Sequence, residues 1–205
     1  MRMGDATMKI LAIAGSPRRK GNTDTLLDHA IAGARSAAVE VERVILSRLK
    51  IAPCIECNRC FETGRCAVKD DYQTLYDKTL EADGIMLASP VFFMNVSGHT
   101  KAFIDRFQCL WALRYVLDRP VPLPPGGVRR RAIFLSTAGS SRTKFDCTLS
   151  VVRAFLGTID AKLVGTLCIN AIDDKGEVGE HPEILDKAHA LGVLLASGRE
   201  TSAAV

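Results

Sequence analysis

Four of the seven cysteines in this chain of 205 residues fall within one short segment, CIECNRCFETGRC. Cys54, Cys57, Cys60 and Cys66 are spaced C-x2-C-x2-C-x5-C. Thiols this close together can serve disulfides, a zinc ion, a redox relay or an iron–sulfur cluster. Cysteines at two successive spacings of three match the run whose tight turns bring thiolates onto one cluster. The chain has no second such triplet, so Cys66 is free to complete the same site. Structural zinc more often combines two separated C-x2–4-C or H-x3–5-H pairs. The balance favours a cluster, with zinc and a metal-free set of thiols left open.

Those thiols need a scaffold. Four short apolar runs stand out: KILAIAGS (9–16), GIMLASPVFF (84–93), RAIFLSTAGS (131–140) and AKLVGTLCINAI (161–172). A weaker fifth, VERVILSRL (41–49), alternates in part. Apolar runs without alternation suit parallel strands covered on both faces. Between them lie amphipathic segments of helical length at 22–37, 70–84, 97–117, 143–157 and 181–198. Strands and helices that alternate in this way predict a doubly wound, five-stranded parallel α/β sheet with helices on both faces. Ligands of such sheets bind beyond the carboxyl ends of the strands. Two connections, 50–69 with the cysteines and 118–130, are longer than ordinary ones, and such loops are usually functional or mobile.

The loops after the strands agree with one another. GSPRRKGNTDT (15–25) is hydroxyl-rich and basic and leads straight into a helix, which suits a phosphate at the helix N-terminus. It is not a Walker loop, because Asn22 stands where the lysine is required, and it holds no G-x-G-x-x-G. SPVFFMNVSG (89–98) offers apolar and backbone contacts to a flat heterocycle, or else Phe92 and Phe93 pack under the next helix. STAGS (136–140) is small enough for a planar ring to approach from the other side. Together the three describe a mononucleotide with an aromatic ring.

The bulk composition narrows the classes. Net charge is +4, and the basic runs RRK (18–20) and RRR (129–131) read as solvated loops rather than a nucleic-acid footprint. No stretch approaches the roughly 18 apolar residues that a membrane helix needs. The N-terminus makes a poor signal peptide, so a cytoplasmic location is expected, where thiols stay reduced. Residues 1–7 are expected to form a disordered tail, and residues 8–200 one domain with a cysteine-rich insertion at 50–69. Cys109, Cys147 and Cys168 sit among apolar neighbours and are expected in the core. His29, His99, His181 and His189 form no ligand pair at metal spacing, and only His99 lies near the ring loop.

The blocks KILAIAGSPRRKGNTDTLL, the cysteine cluster with VKDDY, and SPVFFMNVSGHTKAFIDR follow one another in this order. In them the chain resembles the flavodoxin-like NAD(P)H-dependent FMN reductases, and among these the iron–sulfur flavoproteins. The resemblance runs from about residue 8 to at least residue 140 and implies strand order 2-1-3-4-5. It implies an FMN whose phosphate is held by Ser16, Arg18, Asn22 and Thr23, with Thr25 nearby. The ring is then expected against Pro90, Val91, Phe92, Phe93, Met94 and Asn95, with Thr137, Ala138 and Gly139 as the third loop. It further implies that Cys54, Cys57, Cys60 and Cys66 hold a 4Fe–4S cluster, although many single-domain relatives carry a similar block and work through flavin alone. The chain departs from the family at Phe92, where tyrosine is frequent, and at Met94, where a small residue is frequent.

The reaction so implied is electron transfer between flavin and cluster, with NAD(P)H, a small molecule or ferredoxin as donor or acceptor. No protein acid or base is required, so no catalytic residue is assigned. A cluster-free NAD(P)H-dependent FMN or quinone reductase is the alternative, and a non-catalytic flavodoxin-like carrier the third. A homodimer or homotetramer is also implied, with the apolar-aromatic segment 103–116 exposing Trp111 and Tyr115. Neither nucleic acid nor membrane is expected as a partner.

Overall fold

The computed structural model describes residues 7–198. The tail expected at 1–7 lies outside the described residues but for Thr7, as do residues 199–200 of the expected domain. Strands β1 (Lys9–Ala14), β2 (Glu40–Ile45), β3 (Gly84–Ala88), β6 (Arg130–Thr137) and β7 (Ala161–Ile169) form one parallel sheet in the order β2-β1-β3-β6-β7. This is the 2-1-3-4-5 order of a flavodoxin-like sheet, counted over its own strands.

The apolar runs hide a period of two, because each face of the sheet has its own core. Leu11, Ile13, Ile85, Leu87 and Phe134 point to the side of α3 (Tyr72–Glu81), α4 (Gly98–Asp105), α5 (Gln108–Tyr115) and α6 (Asp146–Thr158). Ile10, Ala12, Ala14, Met86 and Leu135 point to the side of α1 (Asn22–Arg35) and α7 (Pro182–Ala196). Among the described residues no helix is long and apolar enough to cross a membrane.

Several boundaries differ from expectation. The run at 84–93 ends as a strand at Ala88, and the chain then makes a small hairpin of β4 (Val91–Phe92) and β5 (Asn95–Val96). The run at 41–49 ends as a strand at Ile45 and closes with a 3-10 turn, Leu46–Arg48. Segment 97–117 is two helices, because the chain leaves helical geometry at Phe107, where ψ is 2°. The triplet at 129–131 is not a solvated loop. Arg130 opens β6 fully buried, and its guanidinium donates to the carbonyls of Thr79, Leu80, Pro122 and Ile159. Of the three cysteines expected in the core, Cys109 is buried and Cys168 half-buried, but Cys147 is exposed. Cys147 falls on the outer side of α6, whose buried residues are Thr148, Val152, Phe155 and Leu156.

Candidate functional site

The three loops meet at the carboxyl edge of the sheet, where buried hydroxyls tie them together. Ser97 Oγ donates to the Gly15 carbonyl (2.6 Å) and accepts the Thr100 amide, which caps α4. The Ser97 amide donates to Ser89 Oγ (2.9 Å), and Ser136 Oγ donates to the Ser89 carbonyl (2.7 Å). Thr23 and Thr137 share a hydrogen bond of 2.8 Å between their hydroxyls. Gly15 is required by this closeness, because a β-carbon there would lie 2.0 Å from Thr100 Oγ1 and 2.8 Å from the Ala88 carbonyl.

The first loop presents an open helix end. Gly21 caps α1 without a side chain, so the first-turn N–H groups have no partner within the helix. Ser16 Oγ accepts the Arg18 amide in a tight turn, and the Arg18 side chain is exposed. Asn22 points elsewhere: its amide donates to the Asp174 carbonyl (2.8 Å) and accepts from the Val178 amide (3.2 Å). Thr25 Oγ1 donates to the Gly21 carbonyl. Thus Ser16, Arg18 and the backbone N–H groups of 22–24 are the groups left for an anion.

In the second loop, Phe93 and Met94 form the two-residue turn of the β4–β5 hairpin, with φ of 48° and 64°. Positive φ at both central positions defines a primed turn, and for bulky residues it is strained. Phe93 is fully exposed, with Phe92 and Met94 about half exposed. Packing of Phe92 and Phe93 beneath the next helix is thereby excluded. Thr148 Oγ1 donates to the Met94 carbonyl (3.2 Å) and ties the turn to α6. Pro90, Val91 and Asn95 are half-buried at the base of the hairpin. In the third loop, Thr137 and Ala138 are buried and Gly139 is exposed. His99 is exposed on the first turn of α4.

The cysteine segment lies against α4 and α5. Positive φ at Glu56 (53°) and Asn58 (56°) turns the chain on either side of Cys57, and a single helical turn, α2 (Cys60–Thr63), closes it. All four cysteines line one small cavity with Arg106 and Cys109. Burial pushes the Cys60 thiol up, and the nearby Cys66, Cys54 and Cys57 push it in the same direction. Among the described residues no group of three or more His, Cys, Asp or Glu is placed to hold a metal ion. The four thiols nonetheless line one cavity, Cys54 and Cys57 from its exposed side, and thiolates are the donors that iron–sulfur groups take. A separate open cavity of about 530 Å³ runs from Cys54 along Phe61, Phe107, Trp111 and Phe155.

Sequence reasoning missed Arg106. Its side chain is fully buried, and its Nε–H donates to Cys66 Sγ at 3.2 Å. Nη1 donates to Asp70 (2.7 Å) and to the Ala52 carbonyl (2.9 Å), and Nη2 to the Val68 carbonyl (2.8 Å). The guanidinium carbon lies 4.5 Å from the centre of the Tyr72 ring. Burial opposes the charge on Asp70, but hydrogen bonds from Arg106 and from the Ala52 and Tyr72 amides outweigh it and hold the carboxyl below its ordinary value. A cation among Phe103, Ile104 and Phe107 was the available signal. Cys109 behaves as a core thiol: burial pushes it up to about 11, and it pairs with the Tyr72 hydroxyl.

A flavodoxin-like sheet with three joined loops at its carboxyl edge, together with a loop that gathers four thiols on one cavity, defines a class of redox protein. The chain belongs to the NADPH-dependent FMN reductase family, whose model matches residues 8–171. It is 42% identical over 103 residues to an iron–sulfur flavoprotein of Methanocaldococcus jannaschii, which covers 50% of this chain and 53% of that one. It is 35% identical over 124 residues to the iron–sulfur flavoprotein of Methanosarcina thermophila, 60% of this chain and 65% of that one. The chain thus spans about half the length of the curated relatives it matches. Among solved structures, a flavone reductase superposes with a TM-score of 0.70 at 24% identity, over 93% of this chain and 62% of that one. The NAD(P)H:quinone oxidoreductase of Methanothermobacter marburgensis gives 0.69 at 15% identity, over 96% and 100%. At these identities the structural likeness is one of fold.

Proposed function

We propose that the chain is an NAD(P)H-dependent FMN oxidoreductase of the iron–sulfur flavoprotein type, which passes electrons between flavin and a 4Fe–4S cluster. The convergence of Cys54, Cys57, Cys60 and Cys66 on one cavity carries this reading. Family membership and the iron–sulfur names of its relatives support it.

The chain's part is to bind and orient. Ser16, Arg18 and the N–H groups of Asn22 and Thr23 hold the FMN phosphate, while the buried Thr23–Thr137 pair and Thr25 keep the helix end in place. Pro90, Val91, Phe92, Phe93, Met94 and Asn95 lie along the ring, with Thr137, Ala138 and Gly139 as the third contact. When bound, flavin supplies both two-electron and one-electron chemistry, which suits it to couple a hydride donor with a cluster. No acid or base from the chain is needed. The partners are a small-molecule or ferredoxin donor or acceptor, in the cytoplasm. The exposed Trp111 and Tyr115 on α5 suit a contact between copies of the chain in a homodimer or homotetramer.

Iron, sulfide, zinc and flavin content, with a visible spectrum, on protein purified without oxygen test the proposal. About four irons and four sulfides per chain with one FMN are expected, together with a broad band near 400 nm. FMN without iron makes the chain a plain NAD(P)H:acceptor reductase, and zinc in place of iron makes the cysteine loop a structural clip.

A further inference from the structure

Arg106 brackets the cysteine loop. The carbonyls of Ala52 and Val68 that its two Nη groups meet stand just before Cys54 and just after Cys66. Those bonds and the Asp70 pair hold the two ends of the loop. The Nε–H bond to Cys66 Sγ is additional, and it directs a buried charge at one of the four sulfurs. Among the described residues no such side-chain donor meets the sulfur of Cys54, Cys57 or Cys60. A neutral thiol is a weak acceptor, whereas a thiolate bound to metal is a strong one.

We propose that Arg106 is the positioning residue of the cysteine site, holding Cys66 Sγ toward the shared cavity and, by its charge, favouring the reduced form of the group that the four sulfurs hold. This rests on the cluster reading above. Reduction adds one electron and hence one negative charge to the cluster, and hydrogen bonds and positive charge at the ligand sulfurs raise the potential at which it occurs. Asp70 acts in the opposite sense, since its carboxylate offsets the Arg106 charge at 2.7 Å. The pair therefore sets the potential of the cluster, and the flavin loops are outside its hydrogen-bond reach.

The test is an anaerobic dithionite titration of the holoprotein, with the cluster followed by its visible band and by electron paramagnetic resonance, and the flavin midpoint read in the same run. In Arg106→Gln the reduction equilibrium of the cluster should fall about tenfold, or about 59 mV for a one-electron couple. Arg106→Lys, which keeps the charge, should recover most of that shift. Asp70→Asn should move it in the opposite direction, and the flavin midpoint should stay in place throughout. Failure of Arg106→Gln to load iron supports the positioning role, and Asp70→Asn then decides the role of charge. Fully loaded variants with the wild-type cluster potential overturn this inference alone. Wild-type protein that holds no cluster overturns the cluster reading and this inference with it.

Discussion

Replacing Phe93–Met94 by Asn–Gly separates strain kept for a ligand from strain of no consequence. Both residues sit at positive φ, where a side chain costs on the order of 1–2 kcal/mol each. The fully exposed Phe93 ring returns none of that through packing within the chain. Asn–Gly is the pair that primed two-residue turns favour, and the Thr148 bond to the carbonyl of residue 94 does not depend on the side chain. The flavin-free variant should gain about 2 kcal/mol, which for a domain of this length raises Tm by roughly 4–8 °C. Binding should move the other way. A flavin lying on one face of the Phe93 ring covers on the order of 50 Å², about 1.3 kcal/mol at 25 cal/mol per Å². Stacking adds about 0.5–1.5 kcal/mol. Loss of the two together, about 1.8–2.8 kcal/mol, weakens FMN binding roughly twentyfold to a hundredfold. Calorimetry of the flavin-free protein and a fluorescence titration with FMN read the two effects. A variant that is no more stable, or that binds FMN as tightly as before, refutes the reasoning.

Asp70→Asn should lower stability at neutral pH by about 3 kcal/mol, because it breaks a buried pair. The folded-state carboxyl lies below its ordinary value of 3.8, so its contribution is present above that value and is lost as pH falls through the lower one. Urea unfolding as a function of pH should thus show a steeper loss on the acid side in wild type than in the variant; parallel curves count against it. At the loop junction, Thr23→Val and Thr137→Val each leave one buried hydroxyl without its partner, at about 1–3 kcal/mol. The double variant removes both, so its loss should fall short of the sum of the singles by at least about 0.5 kcal/mol. Additive losses would show that the 2.8 Å contact carries no coupling.

The sheet was legible because each of its strands is a short apolar run bounded by polar turns, and burial on both faces needs no finer pattern. The ends of the runs were not legible. Ser89 and Pro90 continue the apolar string of β3, yet the Ser89 side chain is taken by the Ser97 amide 8 residues on, a contact no local propensity encodes. The cysteine spacing was plain in the sequence, but the partner of Cys66 was not, since Arg106 is 40 residues away. A cation inside an apolar segment reads as solvated until the segment is seen to break at Phe107 and present it to the loop. Likewise the family resemblance implied Asn22 as a phosphate ligand, while its side-chain amide is taken by the Asp174 carbonyl, 152 residues on.

Helix α4 begins where Ser97 holds the loop after β1 through the Gly15 carbonyl and ends next to Arg106, which holds the cysteine loop. Its eight residues span about 12 Å, and each residue added or removed would rotate everything beyond it by about 100°. A single insertion there would swing the guanidinium off Cys66 while leaving the three loops at the carboxyl edge where they are. Residues 125–129 are exposed, contain neither helix nor strand and can lengthen without such a penalty. Length changes among descendants of this chain should therefore accumulate in 125–129 and be barred from α4, whatever substitutions its outer face accepts.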